Sequence, residues 1–211
     1  PMMAARDNFE ILVQGRGSHA AMPHQGVDPV VVGAHIVLAL QTITSRNINP
    51  QESLVVSVTQ FHAGEAFNII PDTVMLKGTC RVFNNELQGT LPDRIQRIVD
   101  GVSSTFGAKS ELTYHKGYPA TINAEPQSKF CADVAKEIAG SENGVDLKPV
   151  PSMGAEDFSY MLQKRPGCYI WAGNGDSAGL HHPEYDFNDQ LLAVGASYWS
   201  RLVEQRLPKN I

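Results

Sequence analysis

The sequence predicts an α/β protein in two parts, and three observations carry that prediction. Apolar residues alternate with polar ones through several short stretches of residues 8–114 and recur at helical spacing between them. Proline and glycine then crowd residues 117–126. Beyond that point helical patterning dominates and strands are few.

The elements follow in order. Residues 8–13 read as a strand with Phe9, Ile11 and Val13 on one face. A polar loop rich in glycine and histidine covers residues 15–27. Asp28-Pro29 opens a helix, with Asp as N-cap and Pro at the first helical position. That helix runs to about Ser45, with Val32, Ile36, Leu40 and Ile43 on one side. Residues 53–61 and 73–83 are the next strands. A second helix spans 91–106 through Ile95, Ile98, Val99 and Val102, and 109–114 is a fourth strand. Strand, helix, strand, strand, helix, strand is the split βαβ, ferredoxin-like order, an antiparallel four-stranded sheet with two helices on one face. It fits a domain over residues 5–117.

In the second part, 118–211, helices are expected at 128–139, 155–163 and 188–206, the last closing before Pro208. Strands are expected at 168–172 and 147–150. Two short strands rarely make a stable sheet alone. Residues 118–211 therefore read as part of an α/β domain whose other strands lie outside this chain. The start Pro1-Met2-Met3 likewise reads as a cut from a longer chain.

Composition narrows the function classes. The 211 residues are 42% hydrophobic and 18% charged with a net charge of -5, ordinary values for a globular protein. No Lys/Arg cluster marks a nucleic-acid surface. The longest apolar run, residues 30–40, is broken by Gly33 and His35 and is short for a bilayer. Three separated cysteines, Cys80, Cys131 and Cys168, fit reduced thiols in a cytoplasmic protein rather than a disulfide framework.

Four segments could carry chemistry. The first, residues 15–24, holds His19 among small residues, so the ring is free to project; an N–H-donating histidine can stabilise an oxyanion. Residues 15–24 contain no GxGxxG and no Lys-Ser/Thr, which argues against a phosphate loop there. Taken alone, His19 and His24 read as loop residues bonded to their own turns. The second segment holds Asn68, before a strand, and Arg81 on it. An Asn amide can donate to a carbonyl and an Arg can hold a carboxylate bidentately, against the plain reading of a turn residue and a surface charge. The third, residues 152–158, joins Gly154, which lets backbone approach a ligand, to the acids Glu156 and Asp157 at a helix start. The fourth, residues 179–187, holds His181 and His182, and one of them could ligate a divalent metal. A full site needs three or four ligands, and no HExxH or His-x-Asp accompanies them.

Together these segments resemble the M20 metallopeptidase superfamily, within it the hippurate and auxin-conjugate hydrolase branch. A GxGGHAAxPHxxxDP pattern is matched by residues 15–29, with Ser18 replacing one glycine. GxAxNVIPD is matched by residues 64–72, GxEDF by 154–158, and LHxPxYDF by 180–187 without exception. The resemblance implies a two-metal catalytic α/β domain and an inserted lid that forms the homodimer. Residues 5–117 would be the lid and 118–211 the returning portion of the catalytic domain. It implies that His181 is a metal ligand and that His19 reaches the partner's active site to stabilise the tetrahedral intermediate. It also implies that Asn68, Arg81 and Gly154 contact substrate. The expected metals are two divalent ions among zinc, manganese, cobalt and nickel, and the expected substrate an N-acyl amino acid or small peptide. No nucleic acid or membrane partner is expected. The branch's Cys, His and Glu-Glu segments, including its general base, have no counterpart here. The competing reading is a non-catalytic dimerisation module of the same fold.

Overall fold

The computed structural model describes residues 1–140 and 144–207. The chain divides into two compact units. The first takes Pro1, Met3–Thr121 and a returning stretch, residues 151–160; the second takes Met2, Ile122–Val150 and the chain from Met161 onward. The return has a backbone cause: the Ala4 amide lies 3.1 Å from the carbonyl of Ser152 and 2.9 Å from that of Gly154. The sequence places residues 151–160 in the second part, whereas the chain returns them to the first unit.

In the first unit the strands are β1 (Ala5–Gln14), β2 (Ser18–His19), β3 (Leu54–Ala63), β4 (Ile69–Ile70), β5 (Thr73–Val82) and β6 (Lys109–His115). The helices are α1 (Pro29–Arg46) and α2 (Asn85–Thr105). β3, β5, β1 and β6 form one sheet in that order, every pair antiparallel. Alternation decides the faces: Phe9, Ile11 and Val13 of β1 and Val74, Leu76 and Cys80 of β5 point into the core. α1 covers them with Val32, Ile36, Leu40 and Ile43, and α2 with Leu91, Ile95 and Val99. Each such side chain, fully buried, contributes about 1.5–3 kcal/mol. Gly78 is where β5 passes over Phe9. A Cβ there would lie 2.2 Å from the Phe9 ring and 2.4 Å from the Ser57 carbonyl, so only glycine fits.

Asp28 caps α1 as the sequence predicts, accepting from Val30 N at 2.8 Å. α1 extends past the apolar run at residues 30–40. By length and composition alone, its 18 residues at a mean hydropathy of 1.2 could cross a membrane. Its inner face is nevertheless spent on the core. α2 starts six residues before the expected Leu91, because Asn84 accepts from the amides of both Glu86 and Leu87. Pro92 removes one helical donor without ending the helix, whose buried Leu91 and Ile95 flank it.

In the second unit α3 (Glu125–Ala139) and α5 (Gln190–Arg206) pair through buried Cys131, Val134 and Tyr198 and through exposed Glu137, which meets Arg201 and Gln205 at 2.8 Å each. The short helix α4 (Phe158–Lys164) starts three residues later than the stretch 155–163 predicts. The two strands expected at 168–172 and 147–150 are absent among the described residues. A side chain satisfies the backbone in each place. The Asn123 amide holds both the N–H and the C=O of Tyr169 at 2.8 Å, and Asp146 accepts from Lys148 N at 2.8 Å. Pro208, expected to close the last helix, lies outside the described residues.

Candidate functional site

His19 is presented by a pinned loop. Arg16 and Val27 exchange backbone hydrogen bonds at 2.9 Å across its base. Asp72 holds it twice: its carbonyl accepts from Gly15 N at 2.8 Å and its carboxylate from Gly17 N at 2.7 Å. Gly17 is needed for that approach, since a Cβ would fall 2.6 Å from the Ile70 carbonyl. β2 pairs with β4, setting His19 opposite Ile69. Ala20 N donates to the carbonyl of Asn68 at 3.0 Å, which brings the two predicted residues side by side.

The imidazole is exposed, and Nδ1 accepts from Ala21 N at 3.1 Å. In the neutral ring that bond places the proton on Nε2. His19 therefore offers an outward N–H donor of fixed tautomer. Asn68 is exposed, and its amide makes no hydrogen bond among the described residues. His24 lies in a single 3-10 turn, Pro23–Gln25, with no buried residue.

Arg81 stands apart from this pair. His19's loop is tied to Asp72, just before β5, whereas Arg81 is one residue from its end. Nine residues of strand separate those positions by roughly 25–30 Å. Arg81 projects from the sheet face opposite the helices, partly buried, with Nη1 bonded to Thr79 Oγ1 at 2.8 Å and to the Cys80 carbonyl at 3.3 Å. Burial lowers its pKa, and the neighbouring Arg6 lowers it further.

Gly154 belongs to the first unit. Its N–H donates to Ser152 Oγ at 3.0 Å and its carbonyl accepts from Ala4 N. Beside it, a hydrogen bond with Glu156 raises the carboxyl pKa of Asp157, and burial and the Glu156 charge act in the same direction.

His181 lies in the second unit, at the crest of a loop closed by two asparagines. Asn188 N donates to Asn174 Oδ1 at 2.8 Å, and Asn174 Nδ2 donates to the Asp186 carbonyl at 2.7 Å. His181 has φ +67°, the left-handed region, alone among the described non-glycine residues. Holding a residue there costs about 1–3 kcal/mol. His182 Nδ1 accepts from Glu184 N at 3.1 Å, whereas the exposed His181 ring makes no hydrogen bond among the described residues. Of the adjacent pair, His181 is the one with both nitrogens free.

The sequence did not single out Asp72 or Asn174. Asp72 was readable only as the end of the Asn-Ile-Ile-Pro-Asp segment, and Asn174 carried no pattern.

Comparison with known proteins defines the class. The model of the peptidase family M20/M25/M40 matches residues 17–205, and the chain belongs to that family. It is 36% identical over 201 residues to the hippurate hydrolase of Campylobacter jejuni, covering 95% of this chain and 52% of that protein. It is 35% identical over 199 residues to an N-acetyl-L-cysteine deacetylase of Bacillus subtilis, covering 94% and 47%. A solved Bacillus subtilis structure, described as a dinuclear metal-binding peptidase of the M20 family, superposes with a TM-score of 0.79 at 27% identity, over all of this chain and 52% of that one. The chain thus spans about half the length of the relatives it matches. Among the described residues no three His, Cys, Asp or Glu side chains come together. These donors by themselves do not fit a metal pair.

Proposed function

We propose that the protein to which this chain belongs is a metal-dependent amidohydrolase acting on N-acyl amino acids or small peptides, in the manner the hippurate hydrolase name describes. The single observation that carries this reading is the presentation of His19: an exposed Nε2–H, its tautomer set by Ala21 N, on a loop clamped by Asp72 and beside an unbonded Asn68 amide. Such a donor stabilises charge that develops only in the transition state. His181 supplies one ligand, and the remaining ligands and the base come from the half of the relatives' length that this chain does not span. The ferredoxin-like unit acts as the lid and dimerisation domain. Separation along β5 supports the dimer: a small substrate cannot touch Asn68 and Arg81 of one copy, whereas two copies can supply one each. The protein is read as cytoplasmic, with no nucleic-acid or membrane partner. The metals are two divalent ions, zinc, manganese, cobalt or nickel.

The test uses benzoyl-glycine hydrolysis by the full-length protein with manganese or zinc. His19→Ala should lower kcat about a hundred- to a thousandfold with KM, metal content and dimer mass unchanged. His181→Ala should lose metal as well as rate. Mixing the two mutants should restore activity, since one site of a heterodimer keeps its metal and receives an intact His19. Heterodimers as inactive as the parents would defeat the assignment in trans. The 211-residue chain alone should show no turnover above the metal blank; activity there would overturn the reading of an incomplete site.

A further inference from the structure

Two arginines face each other on the open side of the sheet. Arg6 of β1 and Arg81 of β5 are direct ladder partners, and alternation sends both away from the helices. Directly opposed side chains start about 5 Å apart at Cβ, and like charges so placed repel. The repulsion is not relieved by an ion pair: among the described residues neither guanidinium lies within salt-bridge distance of a carboxylate. Buried Asp7 attracts Arg81 at longer range, but its side chain is directed to the helix face and is held by Gln88, Tyr114 and Gly117.

The next rung on this face, Asn8 opposite Thr79, holds both cations in place. The Asn8 amide, oriented to satisfy its neighbours, accepts from Arg6 Nη2 at 3.1 Å and donates to Thr79 Oγ1 at 3.2 Å. Thr79 Oγ1 accepts from Arg81 Nη1 at 2.8 Å and donates to the Asp7 carbonyl at 2.8 Å. Arg6 also rests over the ring of Tyr118, 5.8 Å from its centroid. Two guanidinium groups are thereby tethered to one polar rung, each with N–H donors left over. A pre-organised dication without a counter-charge fits a dianion.

We infer that Arg6 is a specificity-determining residue, which turns the single-arginine contact at Arg81 into a two-arginine site for a doubly charged group, the dicarboxylate of an acidic amino acid. The inference rests on the proposed reading of Arg81 as a substrate contact. It adds that N-acyl derivatives of aspartate or glutamate bind better than those of glycine.

Binding to the 211-residue chain is measured without catalysis, following the Arg6 and Arg81 Nε–H resonances by NMR. The probes are N-acetyl-glutamate, N-acetyl-glycine and inorganic phosphate. N-acetyl-glutamate should shift both resonances and bind about tenfold more tightly than N-acetyl-glycine. Arg6→Gln should remove that preference and leave the residual affinity for N-acetyl-glycine; Arg6→Lys should keep part of the preference. With the repulsion gone, Arg6→Gln should also raise Tm by about 1–2 °C, a gain that shows the variant folded. If Arg81→Gln abolishes binding while Arg6→Gln leaves the preference intact, the role of Arg6 is overturned and that of Arg81 stands. If neither substitution changes N-acetyl-amino-acid binding, both assignments fall. Phosphate binding as tightly as N-acetyl-glutamate overturns the dicarboxylate in favour of a general anion site.

Discussion

Tyr114 donates its phenolic proton to Oδ2 of Asp7 at 2.7 Å, and this bond anchors a carboxylate that is 2% exposed. Oδ1 accepts from Gln88 Nε2 and from Gly117 N, each at 2.8 Å. One side chain thus ties β1 to β6, to α2 and to the backbone leaving the sheet. Asp7→Ala would strand three donors where water cannot replace the acceptor, at about 3–5 kcal/mol. Tyr114→Phe removes one bond and should cost about 1–2 kcal/mol. Urea denaturation of the 211-residue chain checks both. A loss below about 1 kcal/mol for Asp7→Ala would mean the carboxylate is not the tie described.

Cys80 sits in the same region, and burial pushes its thiol pKa from the ordinary 9.0 up to about 12. The group is neutral when protonated, and its folded pKa lies above its unfolded one. Its contribution to stability is therefore fully present below about pH 9 and lost as the pH rises toward 12. The urea midpoint should be flat in this respect to pH 9 and fall above it, more steeply than in Cys80→Ala, where the other alkaline titrations remain. Parallel profiles for the two proteins would remove the cysteine from the account.

Gly17 N reaches the Asp72 carboxylate at 2.7 Å only because residue 17 has no side chain. On the proposed function, Gly17→Ala should displace the loop and lower kcat of the full-length protein nearly as far as His19→Ala, about a hundredfold. Asp72→Ala leaves the loop's shape to its backbone bonds and should cost about tenfold, a charge-assisted hydrogen bond's worth. Asp72→Asn, which keeps an acceptor, should cost less. Circular dichroism should not change in any of the three. Full activity in Gly17→Ala would show that the loop does not position His19.

Much of the first unit was legible because its code is local. Phe9, Ile11 and Val13 alternate at the strand period, Val32, Ile36, Leu40 and Ile43 repeat at the helical one, and Asp28-Pro29 marks a helix start that needs only a side chain two residues from its acceptor. The strands expected at residues 147–150 and 168–172 do not form, for a related reason. A short apolar run records that a segment is extended, not that a strand lies beside it, and here Asp146 and Asn123 take the bonds a neighbouring strand would. α2 begins six residues before the expected Leu91 because Asn84 caps it, accepting from the amides of Glu86 and Leu87.

The site divides along the same line. The sequence by itself picked out the candidates, His19, Asn68, Arg81, Gly154 and His181, because imidazole, amide and guanidinium chemistry travels with residue type and the motifs preserve their order. Only the tertiary structure decided how they are grouped: β2 against β4 sets His19 beside Asn68, the length of β5 carries Arg81 away from both, and the ladder register sets Arg81 opposite Arg6. The reason is the long range of strand pairing. Residues 6 and 81 become neighbours through a register that a shift of one residue would undo by turning one of the two arginines to the other face, and no local pattern records it.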